Sequence, residues 1–476
     1  MNSSDPNKCA YHLLKAERGV DMRCGFSAPA SHFHDDKFYC AFHAPVALKK
    51  DWTSEAVKEF NASVVDLMKE TAASGHECDL TGIVFPHDVD LSKAVSKPDL
   101  RVSFRDATFP GAVSFRDATF HHKVTFEYAK FCGPADFGNS TFRIWGDFRR
   151  TAFAKDADFS SAVFDGWAHF TEAKFIRAAN FDNARFTSSA DFTSDEFDPT
   201  AFSGWADFTE AGLSATSDFN EVEFFGLADF ASVEFGKCFF RNCTFDSIVD
   251  FRNAIFHRNA FFNSAAFNKE AMFSNCEFGA MTKFRNARFM RPPKFHNASL
   301  HHDTDFVGAY FEPTKTDDAA RTYRVLKLAM EETRARDDEA DFHAIELKIR
   351  EALPTTPRAV RWVSQLYGFG SDYGRRIERP ILLLIGVIAL FTLIFLVISG
   401  YDGQHSTVSA FQFSMLQIVR PFFILIPGAE ASYGDWAREL LTAYPLLVRL
   451  IALTQSVLAI TLIALLLLAV RRKFRM

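Results

Sequence analysis

Residues 157–181 read ADFSSAVFDGWAHFTEAKFIRAANF, and a phenylalanine recurs in this stretch in steps of five, six, five and six. The recurring rings are Phe159, Phe164, Phe170, Phe175 and Phe181. A helix explains this spacing poorly, because a five-residue step turns a side chain by about 140° and puts successive rings on opposite faces. A stacked solenoid explains it well, since each short unit forms one side of a coil and its ring points into the solenoid core.

The same spacing continues on both sides of the quoted stretch, from Phe104 to Phe311. It slips at 197–202 and at 235–245, where plain five-residue steps replace the alternation. A small residue stands two positions before most rings, and polar residues fill the other positions. An earlier unit at 78–85 indicates that the solenoid starts near there and is interrupted at 92–98. Four units to a coil would give about ten coils.

The units at 157–164 and 179–186, ADFSSAVF and ANFDNARF, resemble those of pentapeptide-repeat proteins, specifically the Phe-rich variety whose units alternate between five and six residues. The resemblance implies an all-β right-handed quadrilateral β-helix. The expected segments are, in chain order, a small Cys/His module at 1–46, a linking helix at 47–75, the solenoid at 76–312, a helical hairpin with a juxtamembrane segment at 313–379, and an α-helical two-span membrane domain at 380–476.

The charge of the chain argues against a nucleic-acid partner. Its formal net charge is -6, whereas a protein that binds nucleic acid is typically basic. No Lys or Arg occurs between Arg185 and Lys237, where Asp and Glu are frequent. Some pentapeptide-repeat proteins are acidic rods that resemble DNA. The stretch 186–236 is therefore either such a mimic or, as is usual for a run of charge, a solvated face.

The opening residues contain four candidate zinc ligands, Cys9, Cys24, Cys40 and His43. Thiolate and imidazole are ligands that zinc prefers, and four of them close a tetrahedral structural site. A segment this short has too little core to fold alone, and a bound metal would compensate. Some pentapeptide-repeat proteins are similar in opening with spaced Cys and a Cys-x-Phe-His ending. The alternatives are free thiols in a small core, or a ligand role for His12, His32 or His34.

Two uncharged apolar runs near the C-terminus, 381–399 and 450–470, are long enough to cross a bilayer. Basic residues flank the outer side of both runs, at 375–379 and 471–475. Because positive flanks mark the cytoplasmic side, we expect a multi-pass protein of the bacterial inner membrane with both termini and the solenoid in the cytoplasm. The first residues contain no apolar run of the kind found in a signal peptide, so none is expected.

The segment between the two runs, 409–427, is short and polar, and Pro421 would break a helix in it. We expect a re-entrant or interfacial helix there. The order of a span, a short helix and a second span is that of the pore domain in two-helix cation channels. The AFQFS start of the short helix and the AVRRKFR ending at 469–475 resemble the two-span, ion-channel-like tail of membrane pentapeptide-repeat proteins. The Thr-Val-Gly-Tyr-Gly filter is absent, so potassium selectivity is not expected. The candidate pore-like residues are Gln412, Gln417, Arg420, Thr454 and Gln455.

Two hypotheses of function follow. In the first, the spans form a homo-oligomeric, channel-like domain, and the cytoplasmic solenoid senses or gates ion conduction. In the second, the spans anchor a rigid rod whose outward faces bind a protein partner without conduction. An enzyme is not expected, because phosphate-loop, metalloprotease and nucleophile-elbow motifs are absent. In the helical hairpin, we expect Glu346 to form an ion pair.

Overall fold

The chain folds into two compact units. The structure is a computed structural model and describes residues 30–34, 37–194, 199–400, 404–426 and 429–473. The first unit comprises Met1–Thr314 and Glu332–Ala335, and the second comprises Lys315–Glu331 and Arg336–Met476.

The wall of the first unit consists of short parallel strands, most of them two residues long. Ala157–Asp158 pairs with Ala135–Asp136 in the coil before it and with Ala179–Asn180 in the coil after it. Strand partners in these coils are one full turn apart along the chain, because four sides of five or six residues close the turn. This arrangement confirms the β-solenoid, and the ten strands of its longest unbroken face agree with the expected number of coils.

The four faces of the solenoid are numbered in the order in which the chain passes them. The second face is a ten-stranded sheet of Thr108–Phe109, Lys130–Phe131, Ala152–Phe153, Lys174–Phe175, Ala201–Phe202, Glu223–Phe224, Thr244–Phe245, Ala266–Phe267, Arg288–Phe289 and Tyr310–Phe311. The third face is a nine-stranded sheet of Val89–Asp90, Val113–Ser114, Ala135–Asp136, Ala157–Asp158, Ala179–Asn180, Ala206–Asp207, Ala228–Asp229, Val249–Asp250 and Ala271–Met272.

The first and fourth faces join into one 16-stranded sheet through two longer strands, Gly212–Asp218 and Glu234–Phe239. The other strands of the first face are Glu77–Asp79, Arg101–Ser103, Val124–Thr125, Trp145–Asp147, Trp167–His169, Ala190–Asp191, Ala260–Phe261 and Thr282–Lys283. Those of the fourth face are Thr119–Phe120, Thr141–Phe142, Val163–Phe164, Arg185–Phe186, Ile255–Phe256 and Glu277–Phe278.

Phenylalanine rings fill the interior of the solenoid in columns. The ring of Phe170 stacks between those of Phe148 and Phe192, with centroid distances of 4.9 and 4.8 Å and nearly parallel planes. Across the core, Phe159 meets Phe170 edge to face at 5.5 Å. The stacking distance matches the roughly 4.8 Å separation of neighbouring strands, so one ring per side fits every coil. All five rings of the sequence at 157–181 are 0 or 1% exposed.

Most five-residue steps contain a residue in the left-handed conformation, two positions after the first ring of the step, and this residue turns the chain at a corner of the coil. The amide of Ala107 donates to the carbonyl of Phe104 at 3.0 Å, and Asp106 between them has a φ of 55°. This geometry is a type II turn, whose third position favours Gly or Asn. The equivalent residues are Asp117, Tyr128, Asn139, Arg150, Ser161, Glu172, Asn183, Glu210, Glu221, Ser232, Asn242, Asn253, Ser264, Asn275, Asn286 and Asn297.

From Phe104 onward, most stacked rings are 22 residues apart, as Phe104 and Phe126 are, and the described rings depart from this regular step in two regions. Phe202 stacks on Phe175 at 4.7 Å, whereas the regular step from Phe175 would lead to Phe197. The expectation of a plain five-residue step at 197–202 is therefore not met, because Phe202 rather than Phe197 takes the ring position above Phe175. Phe197 itself lies outside the described residues. The other predicted slip is confirmed, since Phe245 stacks on Phe224 at 4.9 Å and lies one position short of the regular step.

The elements before the first regular coil are an antiparallel hairpin of Ala30–His34 and Lys37–Cys40, α1 (Val46–Lys49), α2 (Ser54–Ser74) and α3 (Ser92–Val95). Helix α2 begins after Thr53, whose hydroxyl accepts the amide of Ala56, and ends at Gly75 in the left-handed conformation. Phe60 of α2 lies edge-on against the ring of Phe85 at 5.9 Å. Helix α2 therefore covers the end of the ring columns, as a capping element of a solenoid does.

The second unit is built from helices. They are α4 (Asp317–Glu332), α5 (Arg336–Ala352), α6 (Arg358–Ser371), α7 (Glu378–Ser399), α8 (Gln404–Val419), α9 (Asp435–Ala443) and α10 (Pro445–Lys473), with single 3-10 turns at Phe423–Leu425 and Ala429–Ser432. Helices α7 and α10 are long and apolar enough to cross a membrane, by length and composition. Helix α8 ends two residues before Pro421, which lacks the amide donor that would continue it.

The hairpin of α4 and α5 contains a buried carboxylate. Glu346 is 4% exposed, and its oxygens lie 3.1 Å from the guanidinium of Arg324, 2.7 Å from that of Arg350 and 3.9 Å from the ammonium of Lys327. A buried charge needs such partners. The expectation that Glu346 forms an ion pair is confirmed.

Candidate functional site

Polar side chains lie fully buried between α8 and α10. The amide nitrogen of Gln455 donates to the hydroxyl of Ser414 at 2.6 Å and to its carbonyl oxygen at 3.0 Å. The hydroxyl of Ser456 donates to the carbonyl of Gln417 at 3.1 Å. All of these residues are 0% exposed. Ser414, Gln417, Gln455 and Ser456 are named the buried polar cluster.

Two acceptor atoms of the buried polar cluster have no hydrogen-bond partner in the described part of the chain. They are Oε1 of Gln417 and Oε1 of Gln455. Leaving a buried acceptor unpaired costs about 1–3 kcal/mol, and polar side chains inside a membrane domain are functional candidates by default. Two such oxygens could accept hydrogen bonds from water or contact a cation. The buried polar cluster is therefore the first candidate site.

The buried polar cluster lies level with the middle of α7. The hydroxyl of Ser414 donates to the carbonyl of Ile388, halfway along α7, at 3.3 Å. The ring of Phe413 packs edge-on against that of Phe395, nearer the end of α7, at 4.9 Å. Helix α8 thus runs back alongside α7 in the opposite direction. If α7 crosses a membrane, α8 lies at membrane depth and is covered by protein, as irregular or short re-entrant segments must be.

Two of the predicted pore-like residues, Gln417 and Gln455, belong to the buried polar cluster, and the other three do not. The three are exposed on a single chain: Gln412, Arg420 and Thr454. The guanidinium of Arg420 lies over the ring of Phe423 at 5.5 Å. The hydroxyl of Thr454 donates to the carbonyl of Leu450 in its own helix.

Sequence reasoning did not select Ser414, and it counted Ser456 among the polar residues of the second apolar run without placing it among the candidate pore-like residues. Serine in a helix commonly bonds to its own helix backbone, so neither residue is conspicuous. A signal was nevertheless present. Ser414 and Gln417 are three residues apart and share one face of a helix, and Gln455 and Ser456 are adjacent polar residues in a largely apolar run.

A second candidate site is a cavity of about 450 Å³ on the first face of the solenoid, which is lined by Ile144, Trp145, Arg149, Trp167 and His169. These residues are named the aromatic pocket. Trp145 and Trp167 are strand partners one coil apart. The ring of His169 is 5.0 Å from Trp145 and 5.5 Å from Trp167. Trp167 is 57% exposed, and exposed apolar surface of this kind marks interaction sites.

Two nitrogen atoms of the aromatic pocket, Nε1 of Trp145 and Nε2 of His169, have no hydrogen-bond partner among the residues that the structure describes. Nδ1 of His169 lies 3.7 Å from the carboxylate of Asp191, and the ammonium of Lys123 lies over the Trp145 ring at 3.8 Å. Burial alone would raise the pKa of Asp191, but the nearby imidazole of His169 and hydrogen bonds from the amide and hydroxyl of Thr193 outweigh this and lower the pKa. The pocket thus offers a ligand both apolar contact and polar atoms.

The aromatic pocket was not predicted, although the repeat carries its signal. Trp145 and Trp167 occupy the same position in successive coils, so the coil period places them side by side. In the same way His169 lies between Asp147 and Asp191 on the first face. Aligning the outward residues by the coil period would have brought the pocket residues together.

Several acids of the stretch 186–236 stabilise the solenoid wall. Oδ1 of Asp207, Asp218 and Asp229 each accepts the amide of the residue two positions on, at 3.0 Å. Asp and Asn favour turns through this bond. These carboxylates therefore have a role in the repeat geometry that needs no nucleic-acid mimicry.

Of the four predicted zinc ligands, Cys40 and His43 are described, whereas Cys9 and Cys24 lie outside the described residues. Sγ of Cys40 is 3.2 Å from Nδ1 of His43. Nε2 of His43 lies 3.1 Å from the carbonyl oxygen of Thr81, to which it can donate. This bond leaves a lone pair on Nδ1, which is how a metal-bound histidine is oriented. The pair fits two corners of a tetrahedral zinc site.

Elsewhere in the described part of the chain, ligand atoms of His301, His302 and Asp303 lie within 4.8 Å of one another. The residues are consecutive on the surface, and the carboxylate of Asp303 lies 3.7 and 3.4 Å from the two imidazoles. Pairing of two histidines with one carboxylate accounts for this group as a surface ion pair.

Comparison with protein families matches the start of the solenoid. The family model described as Pentapeptide repeats (9 copies) matches residues 80–130 and 104–144. The same ring stacking and left-handed corners continue beyond the matched residues, as far as Phe311. No curated protein matches the chain. The solenoid is therefore similar to pentapeptide-repeat proteins in sequence over 80–144, and its described rings keep the same stacking beyond the matched residues.

Proposed function

We propose that the protein is anchored in a membrane, that its helical unit assembles into a homo-oligomeric, channel-like domain, and that its solenoid senses or gates ion conduction. The observation that carries this proposal is the buried polar cluster level with the middle of α7. A short helix packed along a candidate span contributes two unpartnered amide oxygens at that level. Polar groups at such depth are costly, so they are expected to serve a function.

Exposed polar residues on the same helices support an oligomer. Gln412 and Arg420 are exposed on a single chain, and an amide or a guanidinium that faces lipid is costly. A homo-oligomer would either cover these groups or place them along a water-filled axis. A ring of Arg420 side chains on that axis would favour anions over cations.

The proposed orientation places both chain termini and the solenoid in the cytoplasm. Arg375, Arg376 and Arg379 precede the apolar run of α7, and Arg471 and Arg472 follow that of α10. Basic residues are enriched on the cytoplasmic side of spans. Protease accessibility of the solenoid in sealed right-side-out vesicles tests this orientation, and cleavage without opening the vesicles contradicts it.

The test of conduction is the current across a planar bilayer that contains the purified full chain, compared with a chain that ends at Arg379. We expect unitary currents with the full chain alone. The Arg420→Gln variant should shift the ion preference towards cations, while Thr461→Val, whose exposed hydroxyl bonds its own helix, should not. Silence from an oligomer that is demonstrably inserted contradicts conduction and leaves membrane anchoring intact.

The aromatic pocket favours a second function, in which the membrane helices tether a rod that binds a protein partner. Exposed tryptophan beside unpartnered polar atoms is typical of an anchoring point in an interface. The test is retention of one specific protein by the full chain in detergent. Trp167→Ala should abolish retention, and Trp205→Ala, which removes an exposed tryptophan from another face, should preserve it. Equal retention by both variants contradicts a role for the pocket.

We also propose that a structural zinc ion is bound by Cys40 and His43 together with Cys9 and Cys24. The support is the 3.2 Å approach of Sγ to Nδ1 and the contact of the other ring nitrogen with a carbonyl. Metal analysis of the folded full chain should give about one zinc ion per chain. Cys40→Ala should lose that zinc, whereas Cys132→Ala, at an exposed thiol of the solenoid, should retain it. A folded chain without stoichiometric zinc contradicts the site.

A further inference from the structure

Helix α6 turns its apolar side outward. Its large apolar residues are 53 to 73% exposed, and they are Val360, Trp362, Val363, Leu366 and Phe369. Spacings of three and four residues place most of them along one stripe of the helix. These five residues are named the α6 face. They form an exposed apolar surface larger than single scattered residues would give.

The polar side of α6 faces the interior instead. The hydroxyl of Ser364 donates to the carboxylate of Glu351 at 3.3 Å, and the guanidinium of Arg361 donates to the carbonyl of Leu353 at 3.1 Å. A surface helix of a water-soluble domain packs its apolar side inward and exposes its polar side. Helix α6 has the reverse orientation. An apolar environment outside the chain would account for it.

The position of α6 indicates which apolar environment this is. Only the short segment 372–377 separates the end of α6 from the start of α7. At the end of α10, Arg472 donates to the carbonyl of Tyr373 at 3.2 Å, and Leu465 packs so close to Gly370 that an added Cβ would lie 2.4 Å from it. Helix α6 therefore lies beside the ends of both candidate spans that carry the basic flanks.

Charge around α6 also complements a membrane surface. Between Arg358 and Arg379 the chain is rich in arginine, with Asp372 and Glu378 as the acids. Arg358 is exposed, as is Arg376 in the loop that follows α6. Basic residues next to a span are attracted to anionic headgroups. Tryptophan, as at Trp362, is enriched at the boundary between headgroups and acyl chains.

We propose that α6 lies in the plane of the membrane interface, with the α6 face buried at the boundary between headgroups and acyl chains and the neighbouring arginines at anionic headgroups. Apolar and aromatic residues on one side with basic residues beside them are the features of an interfacial helix. The inference rests on the proposed membrane anchoring and is independent of conduction. Through Glu351 and Arg361, α6 would tie the hairpin of α4 and α5 to the bilayer surface.

The test uses the full chain reconstituted into vesicles of phosphatidylcholine and phosphatidylglycerol. The readout is tryptophan quenching by lipids brominated either near the headgroup or deep in the acyl chains. The emission of Trp362 is obtained as the difference in fluorescence between the full chain and its Trp362→Phe variant. Trp205→Phe gives the emission of Trp205, on the solenoid, as the matched control. We expect Trp362 to lose most of its emission with the shallow quencher and less with the deep one, because an interfacial helix is buried only about 5–10 Å below the surface. The emission of Trp205 should be unchanged by either quencher.

A charged variant adds an independent measurement. Leu366→Asp introduces a carboxylate in the middle of the α6 face and should abolish the shallow quenching of Trp362. Val307→Asp introduces the same charge at an exposed apolar residue of the solenoid and should preserve it. Equal quenching in the two variants would show that Trp362 is quenched without burial of the α6 face.

Resistance to alkaline extraction, measured on the same vesicles, separates the inference from membrane anchoring. If the chain resists extraction and neither quencher affects Trp362, the interfacial position is overturned and anchoring stands. Quenching that appears only at high protein-to-lipid ratio would assign the α6 face to a second copy of the chain and likewise overturn the inference. If alkali removes the chain, both proposals fail.

Discussion

The solenoid and the helical unit bury their interiors in different ways. The solenoid core repeats one residue type in one environment, and the ring of Phe170 has the same neighbours above and below it as its counterparts in other coils. The helical unit instead mixes apolar side chains with polar ones, and those of the buried polar cluster meet between α8 and α10. Each contact in the solenoid is therefore one of many equivalents, whereas each contact of the buried polar cluster occurs once.

This difference affects how each region tolerates change. In a solenoid, a coil contacts only its neighbours, so stability is close to a sum of coil and interface terms. A substitution of a core ring there should have an effect set mainly by its burial and similar in equivalent coils. In the helical unit, an effect should depend on which hydrogen bond is lost. Four substitutions sharpen or break this comparison.

The largest effect is expected for Phe170→Ala, which empties a position that is 0% exposed. Truncation of a buried phenylalanine costs about 3–5 kcal/mol of the free energy of unfolding. The opening free energy of the surrounding coils, measured by hydrogen exchange, should fall by that amount. Phe225→Ala removes a ring that is 48% exposed and should change the opening free energy by at most about 0.5 kcal/mol. Similar losses in the two variants would refute the assignment of the ring columns as the core.

The next effect concerns the corners of the coil. Asn253 has a φ of 59°, and the left-handed conformation costs a β-branched residue about 1–2 kcal/mol more than it costs Gly or Asn. Asn253→Val should lower the free energy of unfolding by that amount, whereas Asn253→Gly should leave it within about 0.5 kcal/mol. Denaturant unfolding of both variants measures this. If valine is tolerated as well as glycine, the corner does not require the left-handed conformation.

The corners and rings also indicate how much of the fold could be read from the sequence. The steps of five and six residues predicted the solenoid because each step is a local rule that the coil repeats. The same rule misassigned Phe197, since its spacing from Phe192 and Phe202 fits the pattern although Phe202 stacks on Phe175. Only the pairing between coils distinguishes a side of the coil from an insertion.

The candidate sites were less predictable for a related reason. Gln417 and Gln455 stand out as polar residues in apolar segments, so composition alone selected them. Their grouping with Ser414 and Ser456 depends on contacts between two helices that are distant in the sequence, which no local pattern specifies. The exposure of Gln412 and Thr454 depends on helix rotation, which is set by the packing of the neighbouring helices.

A smaller effect is expected for Gln455→Leu in the buried polar cluster. The variant removes two hydrogen bonds to Ser414 but also removes an unpaired oxygen. Side-chain hydrogen bonds between membrane helices contribute about 0.6 kcal/mol on average, so the loss should be about 1 kcal/mol. Unfolding of the helical unit in mixed detergent micelles measures it. Thr454→Val, at the adjacent exposed position, is the control and should be neutral. A gain in stability would show that the cluster is retained for function at a cost to folding.

The smallest effect is expected for Asp229→Asn on the third face, and it depends on pH. Burial, and then the carboxylates of Asp250 and Asp207, raise the pKa of Asp229 above its usual value. The folded chain thus binds this proton more tightly than the unfolded chain, so the wild-type free energy of unfolding falls as the pH rises through the raised pKa. Asparagine keeps the oxygen that accepts the amide of Ala231 and carries no charge. It should therefore stabilise the fold by about 0.5 kcal/mol at neutral pH, and the gain should vanish below about pH 4, where the unfolded carboxyl is also protonated.

The matched control for this measurement is Asp250→Asn one coil further on. Asp250 is 3% exposed and its carboxylate lies 2.6 Å from the guanidinium of Arg252, so its charge is paired directly, whereas Arg252 acts on Asp229 more weakly than burial does. Removing one partner of that pair should destabilise the fold by about 1 kcal/mol. This effect has the opposite sign to the stabilisation expected for Asp229→Asn. Denaturant midpoints of the two variants from neutral to acidic pH test this contrast. Equal signs at neutral pH would mean that solvent, rather than the neighbouring charges, sets the energy of each carboxylate on the third face, and that equivalent charged positions behave alike, as the ring positions of the core do.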